Sequence, residues 1–152
     1  MKAELVELIR AELRTRLARL AKAAMDAHAA ATDPGSKAES KYDTRNLEES
    51  YLATGQARQV RELGETLRVF ENLRLRDFSG NEEIAAGALV EVERDGAKLL
   101  FLLAPACGGL EIESEGREIT LLSPESPLYR NLLGKRAGER LDAPPFSVHR
   151  VT

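Results

Sequence analysis

Side chains able to do chemistry are sparse in this chain of 152 residues. Cys107 is its one cysteine, so neither an intramolecular disulfide nor a multi-thiolate zinc site can form, and His28 and His149 leave little from which to build a metal cage. Cys107 falls in Ala106-Cys107-Gly108-Gly109 with no histidine near it in sequence, which reads as a loop thiol and not a nucleophile. His149 lies between Val148 and Val151 as an outward side chain, and His28 sits among alanines. Asp33 opens an Asp-Pro-Gly turn, where its carboxylate caps local backbone. Glu39 follows Ser36 by three places, the spacing of a capping box at a helix start. Glu48 and Glu49 read as a solvated face beside Lys41 and Arg45, in screened pairs of small worth. Arg14, Arg16, Arg19 and Lys22 form a basic stripe that would suit acidic protein surface or phosphate.

The charge balance narrows the classes further. Lys and Arg total 22 against 25 Asp and Glu, a formal net charge of -3, so no global basic field exists to hold nucleic acid non-specifically. Nucleic acid would be met through a local site or another protein. No apolar run reaches membrane-spanning length, and Glu4, Glu7 and Glu12 interrupt the N-terminus where a signal peptide would be apolar. The expected location is cytoplasmic, with no membrane partner.

Two regions with different periods position these groups. Val6, Ile9, Leu13, Leu17, Leu20, Ala24 and Ala27 recur every three or four residues, which predicts an amphipathic helix from about Lys2 to Ala31. Thr32-Asp33-Pro34-Gly35-Ser36 stops it, because Pro34 cannot continue the hydrogen-bond ladder. A second helix is predicted from near Lys37, carrying Leu47, Tyr51, Val60, Leu63, Leu67, Phe70 and Leu73 on one side. Tyr42 and Tyr51, nine positions apart, face opposite sides of it. Two long helices joined by so short a turn lie antiparallel, as a coiled-coil hairpin; about thirty residues make an arm of roughly 45 Å, expected to protrude.

All prolines but Pro34 lie beyond residue 76, where the pattern becomes strand-like. Strands are predicted at Ala88 to Glu93, Leu99 to Ala104, Leu110 to Glu113, Glu118 to Leu122 and Phe146 to Val151, in an antiparallel meander with turns at Asp95-Gly96 and Glu115-Gly116. Ser126-Pro127-Leu128 leading to Leu132-Leu133-Gly134 predicts a short helix, with Ser126 at the N-cap, Pro127 in its first position and Gly134 ending it, packed on the sheet. The fold class is therefore α+β, with a hairpin over residues 1–76 and a β domain over 77–152.

At this point the residues carry a resemblance. Ile119-Thr120, Ser126-Pro127-Leu128, Leu132-Leu133-Gly134-Lys135 and Gly138-Glu139 resemble the signature of the Gre transcript-cleavage factors of bacterial RNA polymerase, I-S-x-x-S-P-L-G-x-A-L-L-G-K-x-x-G-D, with Tyr129 in place of the usual Gly and an extra Ser123-Pro124 upstream. Glu39-Ser40-Lys41-Tyr42-Asp43 and Gln56 are similar, more loosely, to that family's E-N-x-E-Y and downstream Gln.

The resemblance implies an FKBP-like C-terminal domain that docks on the polymerase and a coiled-coil arm that enters its secondary channel. Nucleic acid would then be contacted mainly through the polymerase complex, by a monomer with no cofactor of its own. In the family, acidic tip side chains help hold a catalytic Mg2+ in the polymerase active site, since a hard cation wants oxygen ligands. The tip candidates here are Asp33, Glu39 and Asp43, and the docking candidates are Ser126, Pro127, Leu128, Leu133, Gly134 and Lys135. With Tyr42 in register, the family's first two acids fall on Gly35 and Ala38. Two readings follow: a factor that stimulates cleavage of backtracked RNA, and a polymerase binder that blocks or retunes the channel without cleavage. Two others stand outside that pair. A prolyl isomerase would fit the FKBP-like fold, but Phe101, Tyr129 and Phe146 supply no aromatic-walled pocket; a dimerising coiled-coil adaptor would need no polymerase at all.

Overall fold

The computed structural model describes residues 2–32 and 45–152, with side chains described outside residues 28 and 30–54. Eight elements follow in chain order: α1 (Lys2–Thr32), α2 (Arg45–Glu71), β1 (Leu89–Arg94), β2 (Ala97–Leu103), β3 (Glu111–Ser114), β4 (Arg117–Leu122), α3 (Pro127–Leu132) and β5 (Ser147–Val151). This is the predicted α+β order of two helices followed by a sheet that holds one short helix. The chain divides into two compact units, one made of Met1–Ile9 with Asn72–Thr152 and the other of Arg10–Glu71. The first turns of α1 therefore count with the sheet. No helix among the described residues is long and apolar enough to cross a membrane.

In the helical unit the three-four spacing does what the sequence demanded. Leu13, Leu67 and Phe70 are buried, Leu17, Leu20, Ala24 and Ala27 are half-buried, and Arg14, Arg16, Arg19 and Lys22 are exposed. The two helices run antiparallel where α1 enters the unit. Arg10 Nε donates to the Phe70 carbonyl at 2.8 Å and its Nη2 to that of Glu71 at 3.0 Å, satisfying two carbonyls that the end of α2 leaves without intrahelical donors. Arg14 adds an ion pair to Glu71 at 3.7 Å. The second helix ends at Glu71, two residues short of Leu73, because Asn72 bends out of helical geometry.

In the sheet unit the strand order is β3-β4-β2-β1-β5. Three of the pairings are antiparallel, but β2 and β4 run parallel, with Leu100 opposite Ile119 and Leu103 opposite Leu122. The simple meander is thus corrected. After β2 the chain passes through the Cys107 loop, forms β3 at the edge and re-enters as β4 beside β2 in the same direction. The β1-β2 and β3-β4 hairpins close on the predicted Asp95-Gly96 and Glu115-Gly116 turns, with all four residues at positive φ as a two-residue turn of right-twisting strands requires.

Period-two alternation assigns the two faces of the sheet. Val90, Val92, Leu103, Leu122, Val148 and Val151 join Tyr129 and Leu132 of α3 in one core, completed by Phe78, Ile84, Leu141 and Phe146. The opposite face carries Leu89, Leu100, Leu102, Ile119 and Leu121, also buried, and the same unit includes the buried Leu5, Val6 and Ile9 of α1. Lys2 ties this helix start in place. Its Nζ donates to the carbonyls of Arg76 at 2.8 Å and Gly87 at 2.9 Å and lies 4.7 Å from the centre of the Phe78 ring.

Candidate functional site

The segment Ser123 to Lys135 is built by a chain of backbone turns. Ser126 N–H donates to the Ser123 carbonyl at 2.9 Å, Arg130 N–H to that of Ser126 at 3.2 Å, Leu133 N–H to that of Tyr129 at 3.2 Å and Lys135 N–H to that of Leu132 at 3.1 Å. Ser126 occupies the N-cap with extended backbone (φ -70, ψ 130), yet its hydroxyl makes no capping hydrogen bond; Pro127 at the helix start removes one amide that would have needed it. The upstream Ser123 hydroxyl binds the Glu125 carboxylate instead and, with Glu125's own backbone N–H, holds that carboxyl below its ordinary value.

The docking candidates divide by burial. Leu128 packs against the core beside the buried Tyr129 and Leu132, so the Tyr that stands where the family has Gly is a core side chain; burial pushes its phenol up. Pro127, Leu133 and Gly134 are exposed, with Leu133 keeping 42% of its surface in solvent, and Ser126 and Lys135 are half-buried. Gly134 and Lys135 are locked to the segment before β1. Gly134 N–H donates to the Ile84 carbonyl at 2.9 Å and Ile84 N–H donates to that of Lys135 at 2.8 Å. The connection around Ile84 is pinned in turn by Arg76 to Glu82 at 2.8 Å and Arg136 to Glu83 at 3.0 Å. The Ser79 backbone N–H, ahead of Arg76, does most to hold the Glu82 carboxyl below its ordinary value.

Beside this segment opens a concavity of about 430 Å3, lined by Arg130, Asn131, Lys135, Arg140, Leu141, Asp142 and Ala143. The loop that forms its far wall is fixed by Leu141 N–H to the Phe146 carbonyl at 2.8 Å and by Asn131 Nδ2 to that of Ala143 at 3.3 Å. Phe146 also packs against Phe101, with ring centres 6.1 Å apart, so Phe101, Tyr129 and Phe146 serve the core.

A second polar cluster stands on the β1 face that turns away from α3. Glu91 is buried there with Arg117 Nη2 at 3.1 Å, Lys98 Nζ at 3.6 Å and His149 Nε2 at 3.9 Å. Burial alone would lift its carboxyl, but the Arg117 hydrogen bond and charge, with Lys98 and His149 adding to them, hold it below the ordinary value. His149 thus has a partner that sequence order did not reveal.

Asp33, Glu39 and Asp43, with the Pro34-Gly35 turn, the Ser36 capping box and Tyr42, lie outside the described residues. Among the described residues Gln56 Oε1 is buried without a hydrogen-bond partner. Among the described residues no group of three or more His, Cys, Asp or Glu side chains could hold a metal ion. Sequence reasoning missed the Lys2 tie, the Glu91 cluster and the pairing of Arg130 with Arg140. Only the second had a local signal, since a Glu between Val90 and Val92 must face away from their side of the sheet.

No protein-family model matches the chain, and no curated protein matches it. Among solved structures it is similar to GreA factor homolog 1 (Gfh1) of Thermus thermophilus, at 22% identity over 94% of each chain with a TM-score of 0.37. A further structure of the transcription factor Gfh1 matches at 22% identity over 93% of this chain and 92% of that one, with a TM-score of 0.38. Gfh1 of Thermus aquaticus matches at 18% identity over 92% and 91%, with a TM-score of 0.35.

Proposed function

We propose that this chain is a divergent Gre-like regulator of transcription elongation that binds RNA polymerase through its sheet unit and sends the end of its helical hairpin into the secondary channel. The observation that carries the reading is the signature-like segment. Ser126-Pro127-Leu128 and Leu132-Leu133-Gly134-Lys135 fold as a short helix whose Leu128 and Leu132 join the core while Pro127 and Leu133 stay outward, beside a backbone lock to Ile84. Such a segment is rigid and presents apolar surface where a partner can reach it. A helix of 31 residues, about 45 Å long, is commensurate with a path from a protein surface to an enclosed active centre. The factor performs no reaction of its own in this reading; Asp33, Glu39 and Asp43 would lend oxygen ligands to Mg2+ of the polymerase.

A second reading has its own observation. With Tyr42 in register the family's first two tip acids are replaced by Gly35 and Ala38, neither of which has a side-chain oxygen to offer a cation. On that ground the chain would occupy the channel and retune or block it without stimulating cleavage. One experiment separates the two: the chain is added to backtracked elongation complexes, and comigration and RNA shortening are followed with D33A and E39A variants alongside. Shortening that the variants abolish identifies a cleavage factor. Comigration with unchanged RNA length identifies the non-cleaving relative, and absence of comigration refutes both.

A further inference from the structure

Arg130, Lys135 and Arg140 surround one concavity with a single carboxylate, Asp142, among its lining. Three cations against one anion make a local positive site on a chain whose overall charge is -3. The distances show how loosely two of these cations are engaged. Arg130 Nη2 reaches the Glu125 carbonyl only at 3.4 Å, and Lys135 Nζ stands 4.0 Å from Glu139. Arg76, Arg136 and Arg117 of the same unit are held more closely, at 2.8, 3.0 and 3.1 Å from their carboxylates, while Arg94 stands 3.7 Å from Asp95. Long, solvated contacts of the first kind contribute little and exchange readily for shorter ones.

We propose that this concavity takes the carboxylates of an acidic, exposed polypeptide segment. Guanidinium groups at Arg130 and Arg140 can each present two parallel N–H donors to a carboxylate, and Lys135 adds a point charge to the same lining. A polypeptide fits better than a nucleic-acid backbone. Asp142 would oppose a continuous row of phosphates, whereas it can accept a peptide N–H, and Leu141 and Ala143 supply apolar wall that suits side-chain stems. On the reading above, the owner of the segment is RNA polymerase, so the inference names the chemistry of that docking and rests on the same partner.

The test uses the full chain. A hexaglutamate peptide is titrated at about 50 mM salt, where screening is weak, and backbone amide shifts are followed by NMR. Shifts confined to residues 130–143, with affinity falling at least about tenfold in R130E or R140E and steeply with added salt, are the expected result. R140K, which keeps the charge but loses the paired donors, should bind more weakly than the parent and more tightly than R140E, and amide shifts of free R140E that match the parent outside residues 130–143 show that its loss is not loss of fold. Shifts centred elsewhere, equal affinity in the reversed variants, or tighter binding of a twelve-nucleotide RNA at the same residues overturns the inference. In parallel, polymerase binding is compared for the parent and R140E. Equal binding overturns the inference and leaves the polymerase reading standing; failure of the parent to bind polymerase, with the peptide still seated at residues 130–143, removes that partner and supports the acid-binding concavity.

Discussion

Arg117 on β4 reaches past β2 to place its Nη2 3.1 Å from Oε2 of Glu91 on β1, linking two strands that do not pair with each other. The carboxylate is buried while the guanidinium keeps about half its surface in water. Replacing Arg117 by Met keeps the stem over the sheet and removes the donor. Because Lys98 and His149 remain and the arginine is solvated, the expected loss is about 1–2 kcal/mol, read by urea unfolding.

The same pair sets a pH dependence. Glu91 in the folded chain lies below its reference value of 4.5, so its contribution is present in full above that value and is lost as pH falls through the lower folded one. Acid unfolding of the parent should therefore steepen below pH 4.5, and E91Q should flatten that limb. An unaltered acid limb in E91Q would contradict this assignment.

Lys2 follows the same sign in an alkaline window, from a different cause. Burial, the largest influence, brings its ammonium down from 10.5 to about 8 despite the nearby Asp77. Between those values the unfolded chain keeps a proton that the folded chain releases, so the Lys2 contribution to stability rises with pH across that window. Thermal unfolding followed from pH 8 upward should show this rise in the parent and lose it in K2M, which also leaves the Arg76 and Gly87 carbonyls without their donor.

A fourth prediction is steric. A Cβ on Gly108 would stand 2.5 Å from Ser123 Oγ and 3.2 Å from its backbone nitrogen, and Ser123 is itself buried. Gly108→Ala should cost about 1–3 kcal/mol. Adding S123A removes the nearest atom, so the double variant should recover part of the loss; strictly additive losses in the cycle would place the cause elsewhere.

Gly134 presents a different constraint, with open space around it but φ at +80 where α3 ends. Gly134→Ala should cost about 1–2 kcal/mol through backbone strain alone, and Gly134→Asn less, since Asn tolerates this region better. The urea midpoint should fall with an unchanged slope.

Much of the fold was legible because each element carries its own period. The stripe from Leu13 to Ala27, the two Gly-containing hairpin turns and the Ser126 to Gly134 helix are local patterns, and α1, the strands and α3 fall within a few residues of their predicted bounds, while the predicted start of the second helix near Lys37 lies outside the described residues. What was not legible is non-local. Nothing in the runs around Leu100 and Ile119 states that they lie side by side in parallel, because that register depends on where the intervening β3 is laid down. Lys2 reads as an ordinary surface lysine until the residue 76 and residue 87 carbonyls converge on it. Arg130 and Arg140 share a concavity only because the loop from Leu141 to Phe146 folds back. The Cys107 expectation was limited to a loop thiol, and that residue sits half-buried at positive φ in the crossover loop.

The placement of β5 against β1 bears on how the molecule is made. Phe78 N–H donates to the Thr152 carbonyl and Thr152 N–H to that of Leu89, while Lys2 finds its acceptors 74 and 85 residues downstream. The contacts of Arg10 to Phe70 close within the first half of the chain. During synthesis the helical pair has its partners early, whereas the sheet lacks its β5 edge until residue 152 has cleared the ribosome. A nascent chain arrested before that point should resist protease within residues 10–27 and 55–71 while β1 stays open to cleavage.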